Sequence, residues 1–193
     1  MKSESKLKLE FHPLTPERWQ DFETLFGPKG ACGGCWCMFW KKPHKLFHAD
    51  AYDRNRLDQK HLVEKGAFPG IIAYFNGEPV GWCAVEPREN YPALQRSRIL
   101  KPVDEEPVWS VTCFFVSRKF RRQGITVALL REVVKFVSSR GGRIIEGYPV
   151  EVAGRKSADA FIYTGTASAY SRAGFVEVAR RSPTRPIFRF AIK

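Results

Sequence analysis

The sequence predicts an α/β fold: a mixed, mostly antiparallel central sheet with flanking helices. Three observations carry this. Residues 108–116, VWSVTCFFV, are rich in β-branched and aromatic side chains and read as a buried strand. That strand runs through a basic turn into a segment where Ile125, Leu129, Val133 and Phe136 share one helical face, and residues 143–150 then begin another strand. A strand, helix and strand in that order favour a right-handed parallel crossover. Two hairpin patterns, one around Asn76-Gly77 and one at the C-terminal end, supply the antiparallel partners.

The remaining elements follow in chain order. Leu7, Leu9 and Phe11 alternate with charged residues and predict an opening strand. Thr15-Pro16 starts a helix whose buried face is Trp19, Phe22, Leu25 and Phe26, and Gly27-Pro28 stops it. A loop rich in Cys and Trp follows. Residues 48–65 read as one helix with Tyr52, Leu57, His61 and Leu62 recurring and Gly66 as its end signal. Residues 71–75 and 79–86 are strands paired across Asn76-Gly77. Residues 87–107, with four prolines, many charges and little periodicity, form an excursion, and residues 151–165 form a second. Thr166 caps a short helix that ends at Gly174 in a left-handed conformation. Residues 175–180 and 186–192 close the chain as a hairpin, with Phe188, Phe190 and Ile192 on one face.

At 193 residues the chain is long enough for one well-buried core and too short for two ordinary domains, so residues 1–193 are expected to form a single domain. A hydrophobic content of 44% argues against disorder. No apolar run is long enough to span a bilayer, and the charged start MKSESKLKLEF lacks a secretory apolar core, so the expected location is the cytoplasm with no membrane partner. A net charge of +12 invites a nucleic-acid reading, but the basic residues are spread out and no nucleic-acid motif accompanies them. The charge is therefore assigned to an ordinary solvated surface and one anionic cofactor site. Cys32, Cys35 and Cys37 cluster ahead of His44 and His48, yet Cys-x-x-Cys-x-Cys is a poor match to structural zinc sites, and no metal is expected. Cys83 and Cys113 read as core packing.

The turn after the central strand holds Arg121, Arg122, Gln123 and Gly124. A helix that starts there exposes unpaired backbone N–H groups and the positive end of its dipole, and Gly124 lets a ligand approach the backbone closely. That geometry suits a pyrophosphate. The segment Arg121-Arg122-Gln123-Gly124-Ile125-Thr126 resembles the Arg/Gln-x-x-Gly-x-Gly/Ala signature of the GNAT superfamily of acyl-CoA-dependent N-acetyltransferases. Tyr170-Ser171-Arg172-Ala173-Gly174-Phe175 resembles that family's Tyr-x-x-x-Gly-Phe signature. The resemblance covers roughly residues 70–192. Arg118 stands where many relatives have Pro, and Thr126 replaces the usual last Gly or Ala.

The resemblance implies the GNAT-like sheet, in which two adjacent parallel strands, here residues 108–116 and 143–150, splay apart to admit a pantetheine arm. It implies acetyl-CoA as cosubstrate, with backbone groups of Phe114, Phe115 and Val116 on the pantetheine amides. Arg121, Arg122, Gln123, Gly124, Ile125 and Thr126 would hold the pyrophosphate. Tyr170 takes the family position of the proton donor to the departing thiolate. Some relatives place a Glu early in the central strand, where this chain has Ser110, so Glu86 and Glu146 become the candidates for general base, with a water chain as a third route. A backbone N–H near Phe115 is expected to stabilise the oxyanion.

The expected activity is direct acetyl transfer to a primary amine of a small molecule or a protein. Trp36, Trp40, Trp82, Trp109 and Tyr148 are candidates for an aromatic acceptor pocket, and Glu86, Asp104, Glu105, Glu106 and Glu146 for attraction of a cationic amine. A homodimer is compatible with the sequence. The competing readings are a non-catalytic acyl-CoA sensor and a zinc or nucleic-acid binding module.

Overall fold

The computed structural model describes residues 7–152 and 162–193. Among these residues seven strands form one sheet: β1 (Leu9–Pro13), β2 (Gly70–Phe75), β3 (Glu78–Pro87), β4 (Trp109–Val116), β5 (Ile144–Gly147), β6 (Val176–Arg180) and β7 (Pro186–Ala191), in the order β1-β2-β3-β4-β5-β7-β6. Every neighbouring pair is antiparallel except β4 with β5. Asn76 and Gly77 turn the β2–β3 hairpin with φ of 50° and 78°, the two left-handed residues that a tight hairpin of the right twist requires.

The helices are α1 (Trp19–Phe26), α2 (His44–Ala49), α3 (Asp53–Glu64), α4 (Pro92–Gln95), α5 (Ile125–Ser138) and α6 (Ala167–Arg172). On one face of the sheet α5 buries Ile125, Leu129, Leu130, Val133, Phe136 and Val137 against Val80, Cys83, Val85, Val111 and Ile145, and α6 joins the same core through Tyr170. Each fully buried aliphatic side chain of this kind stabilises the fold by about 1.5–3 kcal/mol. On the other face α1 buries Trp19, Phe22, Leu25 and Phe26 against Ile72, Tyr74, Trp82 and Ala84. These two layers fix α5 behind β4 and leave the ends of β4 and β5 to form the site.

Residues 48–65 are not one helix. The chain breaks between α2 and α3, where Tyr52 takes φ 69° and its N–H donates to Gly34 O. The face that α3 buries is Asn55, Gln59 and Val63, while Tyr52 and Leu57 are half exposed. The reason is a tertiary hydrogen bond: Asn55 Nδ2 donates to Gly34 O and to Phe47 O, so a polar residue ties the helix to the loop below it. The excursion at 87–107 contains α4 and a 3-10 turn at Arg88–Asn90. The second excursion lies largely outside the described residues.

The Cys loop is bent by three non-glycine residues with positive φ, Ala31 at 68°, Trp36 at 43° and Cys37 at 59°. Conformations of this kind cost roughly 1–3 kcal/mol each and persist only where packing enforces them. Here Trp36 is buried against Trp19, Phe22 and Phe26, and Cys37 Sγ accepts from Trp82 Nε1 at 3.0 Å.

Candidate active site

The parallel contact between β4 and β5 is short. It pairs Trp109 with Ile145, Ser110 with Glu146 and Val111 with Gly147, and goes no further. At the next residue β4 carries a bulge: Val111 faces Val85 and Cys113 faces Ala84, so Thr112 is extra. A bulge increases local twist and bends its strand, and β4 leaves β5 at that point. The result is a V-shaped opening whose one wall is residues 112–116.

Alternation along β4 decides which backbone groups face the opening. The Ser117 N–H donates to Val80 O on the β3 side, whereas the Phe114 N–H donates at 2.6 Å to Tyr163 O on the other. The N–H groups that point away from β3 are therefore those of Phe114 and Val116. Of the N–H groups near Phe115, the one that faces the opening is that of Phe114, one residue earlier, because Phe115 shares the parity of Ser117.

At the apex stands Tyr170 of α6. Thr166 caps that helix, its Oγ1 accepting from the Ala169 N–H at 3.3 Å, and Gly174 ends it with φ 94°. The Tyr170 ring packs edge-on against Phe114 and Phe175. Its hydroxyl lies against Gly147, where a Cβ would come within 2.5 Å of the oxygen, so only glycine fits at the end of β5. The side chain is fully buried and its hydroxyl has no hydrogen-bond partner among the described residues. Burial pushes this phenol well above its ordinary range, so it stays protonated at neutral pH.

At the far end of β4 the chain turns into α5. Arg122 takes φ 63° and Gly124 φ 79°, and the Ala128 N–H donates to Gly124 O as the helix begins. Space beyond Gly124 is open. Arg121 Nε donates to Val116 O at 3.0 Å, which ties the turn to the end of β4, and Gln123 Nε2 donates to Lys119 O. Ile125 is core and Thr126 half-buried. Arg118, Lys119 and Arg122 are exposed around this helix start, whose first N–H groups have no acceptor within the helix.

The two carboxylates chosen from the sequence lie in one row. Glu86 faces Ser110, Ser110 faces Glu146 and Glu146 faces Arg189, so all four side chains share a face of the sheet. Glu146 is fully buried with both oxygens engaged. Oε1 accepts from Arg88 Nη1 at 3.0 Å and from Tyr148 OH at 2.8 Å, and Oε2 accepts from Arg189 Nε at 2.8 Å. Arg88 also donates to Leu100 O, Arg189 is forked onto Asp104, and Ser110 Oγ lies 2.8 Å from Tyr148 OH. Glu86 pairs with Lys41 through Oε2 and accepts from Asn90 Nδ2 through Oε1 at 3.2 Å. It borders a cavity of about 290 Å³ with Asn90, Trp109 and Arg140. Nothing in the sequence singles out Tyr163, and Lys41, Arg88 and Arg189 are signalled only by the rule that a carboxylate within a strand needs a cation.

The aromatic candidates do not line one pocket. Trp36 and Trp82 are core under α1, Trp109 packs on Phe136, and Tyr148 belongs to the buried polar row. Asp104 is committed to Arg189. Cys32 is exposed, Cys35 partly buried and Cys37 buried; burial raises the Cys35 thiol to about 12 and the Cys37 thiol well above its ordinary value. His44 and His48 hydrogen-bond to each other on the exposed side of α2. No three His, Cys, Asp or Glu side chains converge on a metal-sized site among the described residues.

The model of the acetyltransferase (GNAT) family matches residues 34–161. The chain belongs to that family. Known structures agree on the fold of this GNAT chain. A GNAT-family acetyltransferase from Streptococcus pneumoniae is 11% identical with a TM-score of 0.57, over 96% of this chain and 100% of the other. The PaiA N-acetyltransferase of Thermoplasma acidophilum, solved in complex with coenzyme A, is 12% identical with a TM-score of 0.53, over 96% and 100%. A GNAT-family acetyltransferase from Listeria monocytogenes is 11% identical with a TM-score of 0.57, over 97% of each chain. No curated protein matches the sequence. No helix of the GNAT chain is long and apolar enough to cross a membrane among the described residues.

Proposed function

We propose that this GNAT chain transfers an acetyl group from acetyl-CoA directly to a primary amine. The observation that carries the proposal is the Tyr170 hydroxyl, buried, protonated and without a partner among the described residues at the apex of the opening between β4 and β5. A buried orphan hydroxyl costs about 1–3 kcal/mol, which a fold keeps where a ligand supplies the missing partner. The start of α5 fits the phosphates in the same way, with open space at Gly124 and exposed cations around it. At Phe114 the fit is incomplete as the chain stands, since Tyr163 O already holds that N–H.

Acetyl-CoA supplies an activated thioester whose carbonyl carbon an amine can attack and whose thiolate can leave. Within that reaction the Phe114 and Val116 N–H groups are the backbone donors aimed into the opening; one is assigned to the charge that develops on oxygen, at Phe114, and the other, about 6.6 Å along the strand, to the pantetheine arm. Tyr170 holds a proton where the sulfur would depart and delivers it there. Among the carboxylates, Glu146 is assigned to holding Arg88, Tyr148 and Arg189 in place. Glu86 is assigned to accepting the amine proton through water, because Ser110 and Phe114 are four residues, about 13 Å of strand, apart. Five free thiols suit the reducing cytoplasm.

Calorimetry on Gly124→Val tests the phosphate end of this reading. Valine resists φ 79° and fills the open space, so the folded variant should bind acetyl-CoA at least about tenfold more weakly than the parent. Equal affinity in a variant with an unchanged circular dichroism spectrum would place the phosphates elsewhere.

A further inference from the structure

The opening between β4 and β5 is closed at one point by the chain itself. Residues 162–165 form a tight turn, with the Gly165 N–H donating to Ile162 O at 2.8 Å. The carbonyl of Tyr163, within that turn, accepts from the Phe114 N–H at 2.6 Å. On its other side the segment is held to the continuation of β5. The Val150 N–H donates to Gly165 O at 2.9 Å, the Ala167 N–H donates to Val150 O at 3.1 Å, and Val150 and Thr166 form a parallel bridge. Thr164 is fully buried and its Oγ1 accepts from Arg185 Nη1 at 3.0 Å. The turn is therefore anchored on the β5 side through Gly165 to Ala167 and at Thr164, while its described hydrogen bond to β4 is the one from Phe114.

We propose that this turn is a displaceable plug, whose Tyr163 carbonyl occupies the backbone donor that an acyl thioester needs and must leave β4 before the ligand can seat. The proposal rests on the acyl-CoA reading above. One N–H cannot serve both acceptors with good geometry, so ligand binding costs the Phe114–Tyr163 hydrogen bond. Gly165, with φ 84°, is the first residue of the β5 anchor, where the turn meets it, and is the natural pivot. The Tyr163 ring packs edge-on against Phe39, so a turn that swings off β4 also moves this wall. Occupancy by the thioester would then reshape the surface that meets the amine.

Two ligands separate the plug from the phosphate site. Adenosine 3′,5′-bisphosphate carries phosphates but no arm to enter the opening, whereas acetyl-CoA carries both. Thr164→Val removes the acceptor of the Arg185 hydrogen bond with little change of shape, and Arg185→Ala removes its donor from the other side should the buried substitution fold poorly. Each variant loosens the turn by one hydrogen bond, so acetyl-CoA should bind about three- to tenfold more tightly than to the parent, with the bisphosphate unchanged. Unchanged or weaker acetyl-CoA binding in the folded variants, alongside parental binding of both ligands, would overturn the plug and leave the acyl-CoA reading standing. Absence of binding of either ligand to the parent would overturn both.

Discussion

Replacing Tyr170 by Phe should lower turnover at saturating amine by roughly 100-fold while leaving the fold as stable as the parent or slightly more so. The two halves of this expectation come from the same atom. The hydroxyl is buried against Gly147 with no partner among the described residues, so removing it relieves an unsatisfied polar group and keeps the ring contacts with Phe114, Phe175 and Phe188. If the hydroxyl donates the proton to the departing sulfur, that relief is accompanied by loss of the acid. Steady-state kinetics with chemistry limiting, together with thermal unfolding, read both. Parental turnover would make Tyr170 a packing residue, and a loss confined to amine binding would also reject the acid role. The direction of the pKa shift adds a check. Burial raises the phenol, so the folded state keeps a proton that the unfolded chain releases above about pH 10. Stability falls with pH in that range, and Tyr170→Phe should lessen the fall.

Glu146→Ala should cost about 3–5 kcal/mol of stability in urea unfolding, the expected penalty for removing one partner of a buried ion pair. Arg88 is itself buried and would lose its carboxylate, Arg189 would keep Asp104, and Tyr148 OH would lose the carboxylate it donates to. Glu146→Gln keeps an acceptor oxygen at the same place and should lose less. That conservative variant separates two roles. As a structural anion Glu146 can be replaced by Gln with turnover within a few-fold of the parent, whereas a general base so replaced would lose turnover by roughly 100-fold or more in a folded protein. A stable Glu146→Ala variant, or an inactive folded Glu146→Gln variant, would contradict the assignment.

How much of this was legible in the sequence depends on how local the determining interactions are. The strand, basic turn and helix around Gly124 are encoded by a change of hydrophobic period within thirty or so residues, and they lie where the periodicity places them. Asn76-Gly77 and the Thr166 and Gly174 caps are likewise local chemistry. The break before α3 is different. Ala49-Asp50-Ala51-Tyr52 contains no helix-breaking Gly or Pro, and the bend at Tyr52 is enforced by hydrogen bonds from Tyr52 and Asn55 to Gly34. The same bonds turn a polar face of α3 inward, against the apolar pattern. The partners of the carboxylates were hidden for the same reason, since Lys41 with Glu86, Arg88 with Glu146 and Asp104 with Arg189 meet only once the sheet is formed. The turn at residues 162–165 reaches β4 from nearly fifty positions away, and no spacing rule points to it.

The central claim is that a protonated phenol and a backbone donor at the mouth of β4 and β5 serve acetyl transfer to an amine. The most direct measurement is release of the coenzyme A thiol from acetyl-CoA, followed across a panel of primary amines that spans polyamines, amino acids, aminoglycosides and lysine peptides. Thiol release above the amine-free rate with at least one of these amines, equimolar with acetylated product, is the result expected. Tight binding of acetyl-CoA with no amine-dependent thiol release from any member of the panel would contradict the account and make the chain an acyl-CoA-binding protein without turnover.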